Sequence, residues 1–596
     1  MYLSSSVSSY PKNMRFFKIF LASFTAFVVF TALCFFILLL MVGKALAPEK
    51  VTISPNGVLV LETGQSYNEQ KQVNPFGALM KDELGEMPGL FQAVRLIEKA
   101  AEDDNIKGIY LKINGNPNGF ASTEELRNAI LRFRQSKKFV YAYGEVMTQN
   151  AYYLASAADK IYLNPKGMVD FTGFATQLPF LKGTLEKLEI QPEIFYCGKF
   201  KSATEPLRET QMTDANRIQT TQFLGELYGT FLEGISQTRH IDTATLHGYA
   251  NENLIQEPAD ALKYKLVDGL KYDDEVVAEL KSKTGVKEDD KVNLVTLGKY
   301  NSGTDLSDGS GDNRIALIYA QGDIVSGETD RENTIASENY IRDIRRARED
   351  KNVKAILFRV NSGGGSALAS EVIWRELALA KKVKPVVVSM GDYAASGGYY
   401  ISCMADSIFA QPNTLTGSIG VFGVMFNMQD FFKNKLGVTF DGVKTAPYAD
   451  LGSVGRPLTD AEKRFVQNGV DSTYASFKSR VAAGRKLDPA IVDSIAQGRV
   501  WSGVQAKKLG LVDRIGGIRE ALACAARLAK VSEYRLREYP EVKDRLSRLM
   551  KDLSGEVSTK MVKRELGVNY DLYRKVKELK ELQGEIQARM PFKYSF

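Results

Sequence analysis

Histidine is almost missing from this chain: its 596 residues include only His240 and His247. A hydrolase built on serine, histidine and aspartate would have to draw on one of these two. Cysteine is scarce as well. Cys34, Cys197, Cys403 and Cys524 lie far apart with no CxxC spacing, which argues against a disulfide framework and against a metal site. No cofactor is expected. The net charge of +7 is small for this length and scattered, with no basic stripe carrying interleaved aromatics, so nucleic acid is not an expected partner. No GxGxxG is present, and no Lys-Ser/Thr follows the glycine-rich loop at Gly363, which speaks against a phosphate-binding loop.

What is present begins with an apolar run. Residues 19–42 read "IFLASFTAFVVFTALCFFILLLMV", 24 positions without a charge. At 1.5 Å per residue that is about 36 Å of helix, enough to span a bilayer with some tilt. Lys12, Arg15 and Lys18 precede it, so the positive-inside rule keeps residues 1–18 in the cytoplasm and sends the rest across. "ALA" at 45–47 resembles a signal-peptidase site, but the run is too long for an ordinary signal peptide, and an uncleaved anchor is expected. The length beyond it calls for more than one core.

After the anchor, short apolar runs alternate with helical patterns, which predicts an α/β architecture with a largely parallel sheet. The pattern occurs twice. "NIKGIYLKIN" from Asn105 and "NVKAILFRVN" from Asn352 stand 247 positions apart. At the same offset Gly144 meets Gly391, Tyr152-Tyr153 meets Tyr399-Tyr400, Ala158-Asp159 meets Ala405-Asp406, and Pro165 meets Pro412. "LVD" at 266–268 returns at 511–513 with a slightly changed offset. The chain is an internal duplication. Expected boundaries are a first α/β half over 50–300, a polar linker over 301–313, a second half over 314–530, and a charged tail over 531–596. The tail, with "DLYRKVKELKELQGEIQARM", reads as an amphipathic helix for packing or assembly.

The two copies differ where chemistry would be expected. "MGDYAASGGYYIS" in the second copy places Ser396 before Gly397 and Gly398, whereas the first copy has Gln149 and Asn150 opposite Ser396 and Gly397. A turn required only by the fold should be kept more closely in both copies, although duplicated turns do drift. "RVNSGGGSA" is matched by "KINGNPNGF". Glycines between a strand and a helix let backbone N–H groups approach an oxygen, and beside an exposed serine this suggests an oxyanion hole. A serine needs a base. His240 and His247 both read as surface positions, and lysine is the other option. Lys201, in "YCGKFKSATEPL", lies among small residues, and its counterpart region "TAPYADLGSV" has no lysine. A lysine can act as a base near neutral pH when burial lowers its pKa from ~10.4. One copy holds the candidate base and the other the candidate nucleophile.

"MGDYAASGGYYIS", "RVNSGGGSA", "LTGSIGVFG" at 415–423 and "GKFKSATEP" together resemble the signal peptide peptidase A family of the long, duplicated bacterial type. The resemblance covers the anchor and both halves. It implies tandem α/β domains of crotonase/Clp-protease type. It also implies Ser396 as nucleophile, Lys201 as general base, Ser418 as the hydroxyl that orients the lysine, and oxyanion donors from Gly364 and Gly397. The sequence departs from the family at Gly363, where proline is usual, which leaves that loop less rigid. Further implications are released signal peptides as substrates, a homotetramer, and a catalytic body on the periplasmic side of the inner membrane. Two rivals make contrary demands. A crotonase-like acyl-CoA enzyme requires a soluble chain with carboxylates near the glycines, and a non-enzymatic membrane scaffold requires that Ser396 and Lys201 be dispensable. A protease for misfolded or specific membrane proteins shares the chemistry and differs only in substrate.

Overall fold

The computed structural model describes residues 12–45, 52–73, 86–287, 290–306, 311–541 and 585–590. The chain opens with the helix Lys12–Ala45. Its stretch Phe16–Ile37, mean hydropathy 2.4 and wholly exposed, is long and apolar enough to cross a membrane. Residues 46 and 47 of the signal-peptidase-like triplet lie outside the described residues.

Two sheets follow, one per half. The first orders its strands Gly269–Leu270, Lys160–Val169, Phe139–Met147, Ile106–Asn114, Gly57–Glu62 and Asn293–Thr296. Every pairing in it is parallel. The second runs Val500–Ser502, Leu415–Gly417, Val386–Ala395, Val353–Ser362, Arg314–Gln321 and Arg535–Tyr539. It is parallel except where Leu415–Gly417 meets Val500–Ser502. Both central strands are near-continuous apolar runs because helices cover both faces; Ile356 to Val360 are fully buried, Arg359 included.

The repeat is visible in the hydrogen bonds. Tyr152 Oη donates to the Leu266 carbonyl at 2.7 Å, and Tyr399 Oη to that of Leu511 at 2.9 Å. Tyr153 and Tyr400 donate to Glu124 and Glu371, each at 2.5 Å. Asp268 accepts from the Ile161 amide at 2.8 Å, and Asp513 from Ile408 at 2.7 Å. The residues repeated in sequence are those that tie the strand-following helix and the returning loop to the sheet.

The halves are joined by buried polar contacts. Arg359, fully buried in the second half, pairs with Glu69 at 2.8 Å and Glu125 at 2.7 Å, both from the first half. Ser122 donates through its amide and hydroxyl to Asp392 at 2.9 and 2.7 Å. A third sheet also crosses the boundary, in the order Thr334–Ala336, Asp323–Val325, Gly364–Ser366, Gln587–Arg589, Phe422–Asn427 and Gln191–Tyr196. Its last strand comes from the first half and pairs antiparallel with Phe422–Asn427 of the second.

Two stretches differ from their sequence reading. The region read as linker begins inside a helix, Leu297–Gly303, capped by Thr296 and anchored by buried Tyr300; residues 307–310 lie outside the described residues. In the tail, 542–584 and 591–596 lie outside the described residues, and the regular structure in the rest is two short strands. Arg535–Tyr539 extends the second sheet, and Gln587–Arg589 lies within the stretch read as helix. The reason is local: Gly364–Ser366 and Phe422 each offer an open strand edge that saturates the backbone of 587–589.

Candidate active site

The sequence around Ser396 is explained by close approach. A Cβ on Gly398 would lie 2.5 Å from the Ser362 carbonyl oxygen, and one on Gly397 2.7 Å from Ser370 Oγ. Only glycine fits at either place. Ser396 sits between the strand Val386–Ala395 and the short helix Gly397–Ser402, with φ 54° and ψ −115°. That positive φ is strained for serine, by about 1–3 kcal/mol, and is held by the Ser396 amide donating to the Gly417 carbonyl at 2.8 Å. Gln149, at the equivalent place in the first half, clamps Gly173 through both of its amide groups.

Lys201 arrives from the other half. It follows the strand Gln191–Tyr196 and immediately precedes the 3-10 turn Ser202–Thr204. Its Nζ lies 2.8 Å from Ser396 Oγ, 3.1 Å from Ser418 Oγ and 3.2 Å from the Ser418 carbonyl oxygen, all buried. Burial pulls the Lys201 amine well below its ordinary pKa, because the charged form loses its water. The structure thus brings Lys201, Ser396 and Ser418 together within one chain.

Residues not singled out by sequence hold this lysine in place. Gly498, at φ 73°, passes so close that a Cβ there would lie 2.6 Å from Lys201 Cβ. Its neighbours bond both loops: Phe200 donates to the Gln497 carbonyl at 2.9 Å, and Ser418 to that of Arg499 at 2.7 Å. Gln219, on the helix Asp214–Arg239, donates to the Phe200 carbonyl and Ser202 Oγ at 3.1 and 3.0 Å. Buried Glu205 accepts from Thr213 Oγ1 and Asn216 Nδ2 at 2.6 and 2.8 Å. The only sequence signal for them was a run of polar residues, Asn216, Gln219 and Thr220, on the buried face of one helix.

Gly364 N–H donates to Ser362 Oγ at 3.1 Å and is therefore engaged within its own loop. The strand Gln587–Arg589 runs antiparallel beside this loop, pairing Gly364 with Arg589, Gly365 with Ala588 and Ser366 with Gln587. Ala367 N–H donates to the Ile586 carbonyl at 3.0 Å, and Met590 N–H to that of Gly363 at 2.6 Å. Bonded and non-bonded pairs alternate along an antiparallel ladder, so the bonded pair between these two is Gly365 with Ala588. The Ala588 carbonyl oxygen is also close to Gly364 and Gly397: a Cβ on either would approach it to 2.0 and 2.9 Å. Gly397 stands beside that oxygen, and the ladder sets the Gly365 amide facing it.

Other nucleophiles and bases fall away on position. His240 and His247 are both exposed. The Cys197 and Cys403 thiols are pushed up to about 12, mainly by burial, and are inert. Among the described residues no group of three or more His, Cys, Asp and Glu could hold a metal ion.

Comparison with known proteins finds relatives over most of the chain. The model of peptidase family S49 matches residues 132–287 and again 378–532, one match in each half. The chain is 37% identical to "Protease 4" of Salmonella typhi, over 88% of this chain and 87% of that one. It is 33% identical to "Serine protease SPPA, chloroplastic" of Arabidopsis thaliana, over 83% of this chain and 72% of that one. Among solved structures, a point mutant of ClpP1 from Listeria monocytogenes matches 35% of this chain and 95% of its own, at 17% identity and a TM-score of 0.24, too slight a likeness to carry weight. With both halves matched and the relatives covered over most of their length, the chain belongs to peptidase family S49 and is a serine peptidase.

Proposed function

We propose that this peptidase is a membrane-anchored endopeptidase working through a Ser396/Lys201 dyad shared between its halves. The observation that carries this is the 2.8 Å contact between Lys201 Nζ and Ser396 Oγ in a fully buried setting. A neutral amine at that distance accepts the serine proton as the oxygen attacks a peptide carbonyl. Ser418 holds the lysine through its hydroxyl and carbonyl, so the amine stays aimed at Ser396. The oxyanion is received by the Gly397 and Gly365 amides, which replaces Gly364 in the expected pair. The protonated lysine then gives its proton to the leaving amine, and water hydrolyses the acyl-enzyme by the reverse route.

Extended apolar peptides suit the groove, whose two edges, Gly364–Ser366 and Phe422, accept a single strand between them. Released signal peptides have that character. The exposed helix Phe16–Ile37 would hold the site at the membrane where such peptides appear, with the catalytic body on the periplasmic face of the inner membrane. We place the enzyme there as a homotetramer, in keeping with the family its motifs resemble. The expected domains, 50–300 supplying the lysine and 314–530 the serine, fit this division of labour.

The test uses the full chain in detergent as wild type, Ser396→Ala and Lys201→Ala, given an apolar signal-like peptide and followed by mass spectrometry. Only the wild type should cut. A Lys201→Ala protein as active as wild type would remove the dyad from consideration.

A further inference from the structure

The base and the nucleophile come from different halves, so the loops that carry them must be fixed to one another. We propose that Arg499 is the positioning residue that does this, its guanidinium packed on the ring of Phe200 beside the lysine and on that of Trp501 beside the serine loop. This rests on the Ser396/Lys201 reading above. The guanidinium carbon lies 4.7 Å from the centre of the Phe200 ring and 4.3 Å from that of Trp501. Phe200 immediately precedes Lys201. The Trp501 ring abuts Gly417, where a Cβ would come within 2.7 Å of its Cδ1, and the Gly417 carbonyl is the group that holds the Ser396 amide. The backbone of Arg499 serves the same site, since its carbonyl accepts the Ser418 amide at 2.7 Å. One residue therefore ties the lysine loop of the first half to the strand that fixes the serine in the second.

An arginine kept for its charge alone should pair with an acid. Glu226 is the acid that acts on Arg499, yet its carboxylate is taken up by Ser502 Oγ, Gln505 Nε2 and Gln222 Nε2. The Arg499 side chain donates to the Gln222 side-chain oxygen, and its buried Nε has no hydrogen-bond partner among the described residues. The two rings do the holding, and they suit the planar, weakly hydrated cation of arginine better than the compact ammonium of lysine. The first half provides the contrast. At the offset of the "LVD" repeat, Leu254 and Gln256 stand where Arg499 and Trp501 do, and the helices that follow, Pro258–Lys263 and Gly503–Lys508, keep that offset. Ile255 and Val500, at the position between, are buried in both halves. The core position is shared, whereas the cation and its ring occur only in the copy that holds the serine. Without them the Phe200 loop can shift, and a displacement of about 1 Å between amine and hydroxyl costs about a hundredfold in rate.

Hydrolysis of a fluorogenic apolar peptide by the full chain in detergent tests this, with kcat, KM and the pH profile measured for each protein. The set is wild type, Lys201→Ala, Arg499→Gln, Arg499→Lys, Phe200→Leu, and the double variant of Arg499→Gln with Phe200→Leu. Arg499→Gln should lower kcat about a hundredfold and leave KM within about twofold. Water reaching the loosened amine returns its pKa toward ~10.4, so the plateau of kcat/KM should move to higher pH. Arg499→Lys keeps the charge and loses the planar contact, so it should show the same loss; it also carries the test should Arg499→Gln not fold. Phe200→Leu should lower kcat as far, and the double variant no further, because both changes break one contact. A loss of kcat with the pH profile still at its wild-type position overturns the positioning role. So do losses that multiply in the double variant, or an Arg499→Lys protein with wild-type kcat. Any of these beside an inactive Lys201→Ala leaves the dyad standing. An inactive wild type, or a Lys201→Ala protein as active as wild type, overturns the dyad and this role with it.

Discussion

Replacing Lys201 by methionine separates the lysine's chemistry from its packing. Methionine fills nearly the same volume and brings no charge into a site where the amine is fully buried. Activity should fall at least about a thousandfold, the contribution of a positioned general base. The informative readout is stability against pH. The Lys201 pKa is depressed in the folded chain, whereas in the unfolded chain it is ~10.4. Between those two values the unfolded state holds more protons than the folded one. Wild-type stability must therefore rise with pH across that window. Below the folded pKa the full penalty applies, at about 1.4 kcal/mol for each unit of depression. Methionine abolishes the titration and with it that part of the slope.

The assay is thermal unfolding of both proteins from about pH 6 to about pH 10, reading the difference between them so that other titrating groups cancel. The lost contacts to Ser396 and Ser418 shift the whole methionine curve by a constant, so the absolute offset decides nothing. The advantage of methionine over lysine should shrink as pH rises. In parallel, wild-type kcat/KM should rise tenfold per pH unit below the depressed pKa and then level off. Stability curves that stay parallel across the range would mean that Lys201 titrates alike in both states. The general-base assignment would then fail, whatever the loss of activity.

Gly498→Ala forces a Cβ to within 2.6 Å of Lys201 Cβ at φ 73°, and should lower kcat about a hundredfold while circular dichroism is unchanged. Glu69→Ala leaves Arg359 buried with Glu125 alone and should destabilise the joined halves by about 3–5 kcal/mol; the triple change of Glu69, Arg359 and Glu125 to apolar residues of similar volume should recover most of it in calorimetry. Peptide hydrolysis should survive iodoacetamide at about pH 8, because Cys197 and Cys403 hold their protons to about 12; inactivation that tracks alkylation of either would revive a thiol mechanism.

Much of this was legible in the sequence because it is local or periodic. "VKAILFRV" and "IKGIYLKI" announce buried parallel strands, and the constant offset between them announces two copies of one unit. Ser396 was legible because its two glycines have no equivalents in the first half. Gly498 was not, since its requirement comes from Lys201, almost three hundred positions away, and a lone glycine before "RVWSG" looks like any turn. The Gly364 expectation came with the family resemblance and took no account of the strand alongside. The ladder alternation turns that amide back on Ser362 and presents the next one, a two-residue period that depends on which strand lies alongside. That strand was itself hidden. Its charged and apolar alternation in "ELQGEIQARM" satisfies a helical pattern, and only the open edges at Gly364–Ser366 and Phe422 favour extension.

The two copies also show how a duplicated fold comes to hold one site. The residues still paired at the repeat offset, Tyr152 with Tyr399, Tyr153 with Tyr400 and Asp159 with Asp406, make equivalent bonds in both halves and serve the scaffold alone. The residues that have parted company are those at the site. Gln149 clamps a loop where Ser396 meets the amine, and Lys201 reaches across on a strand pairing that joins the halves. Neither half contains both groups, so the chemistry depends on the interface, on Arg359 between two glutamates and on the Gln191–Tyr196 pairing with Phe422–Asn427. Mutations there should reduce activity before they unfold either sheet, because a shift of about 1 Å between the halves changes the lysine-to-serine distance while leaving each core intact.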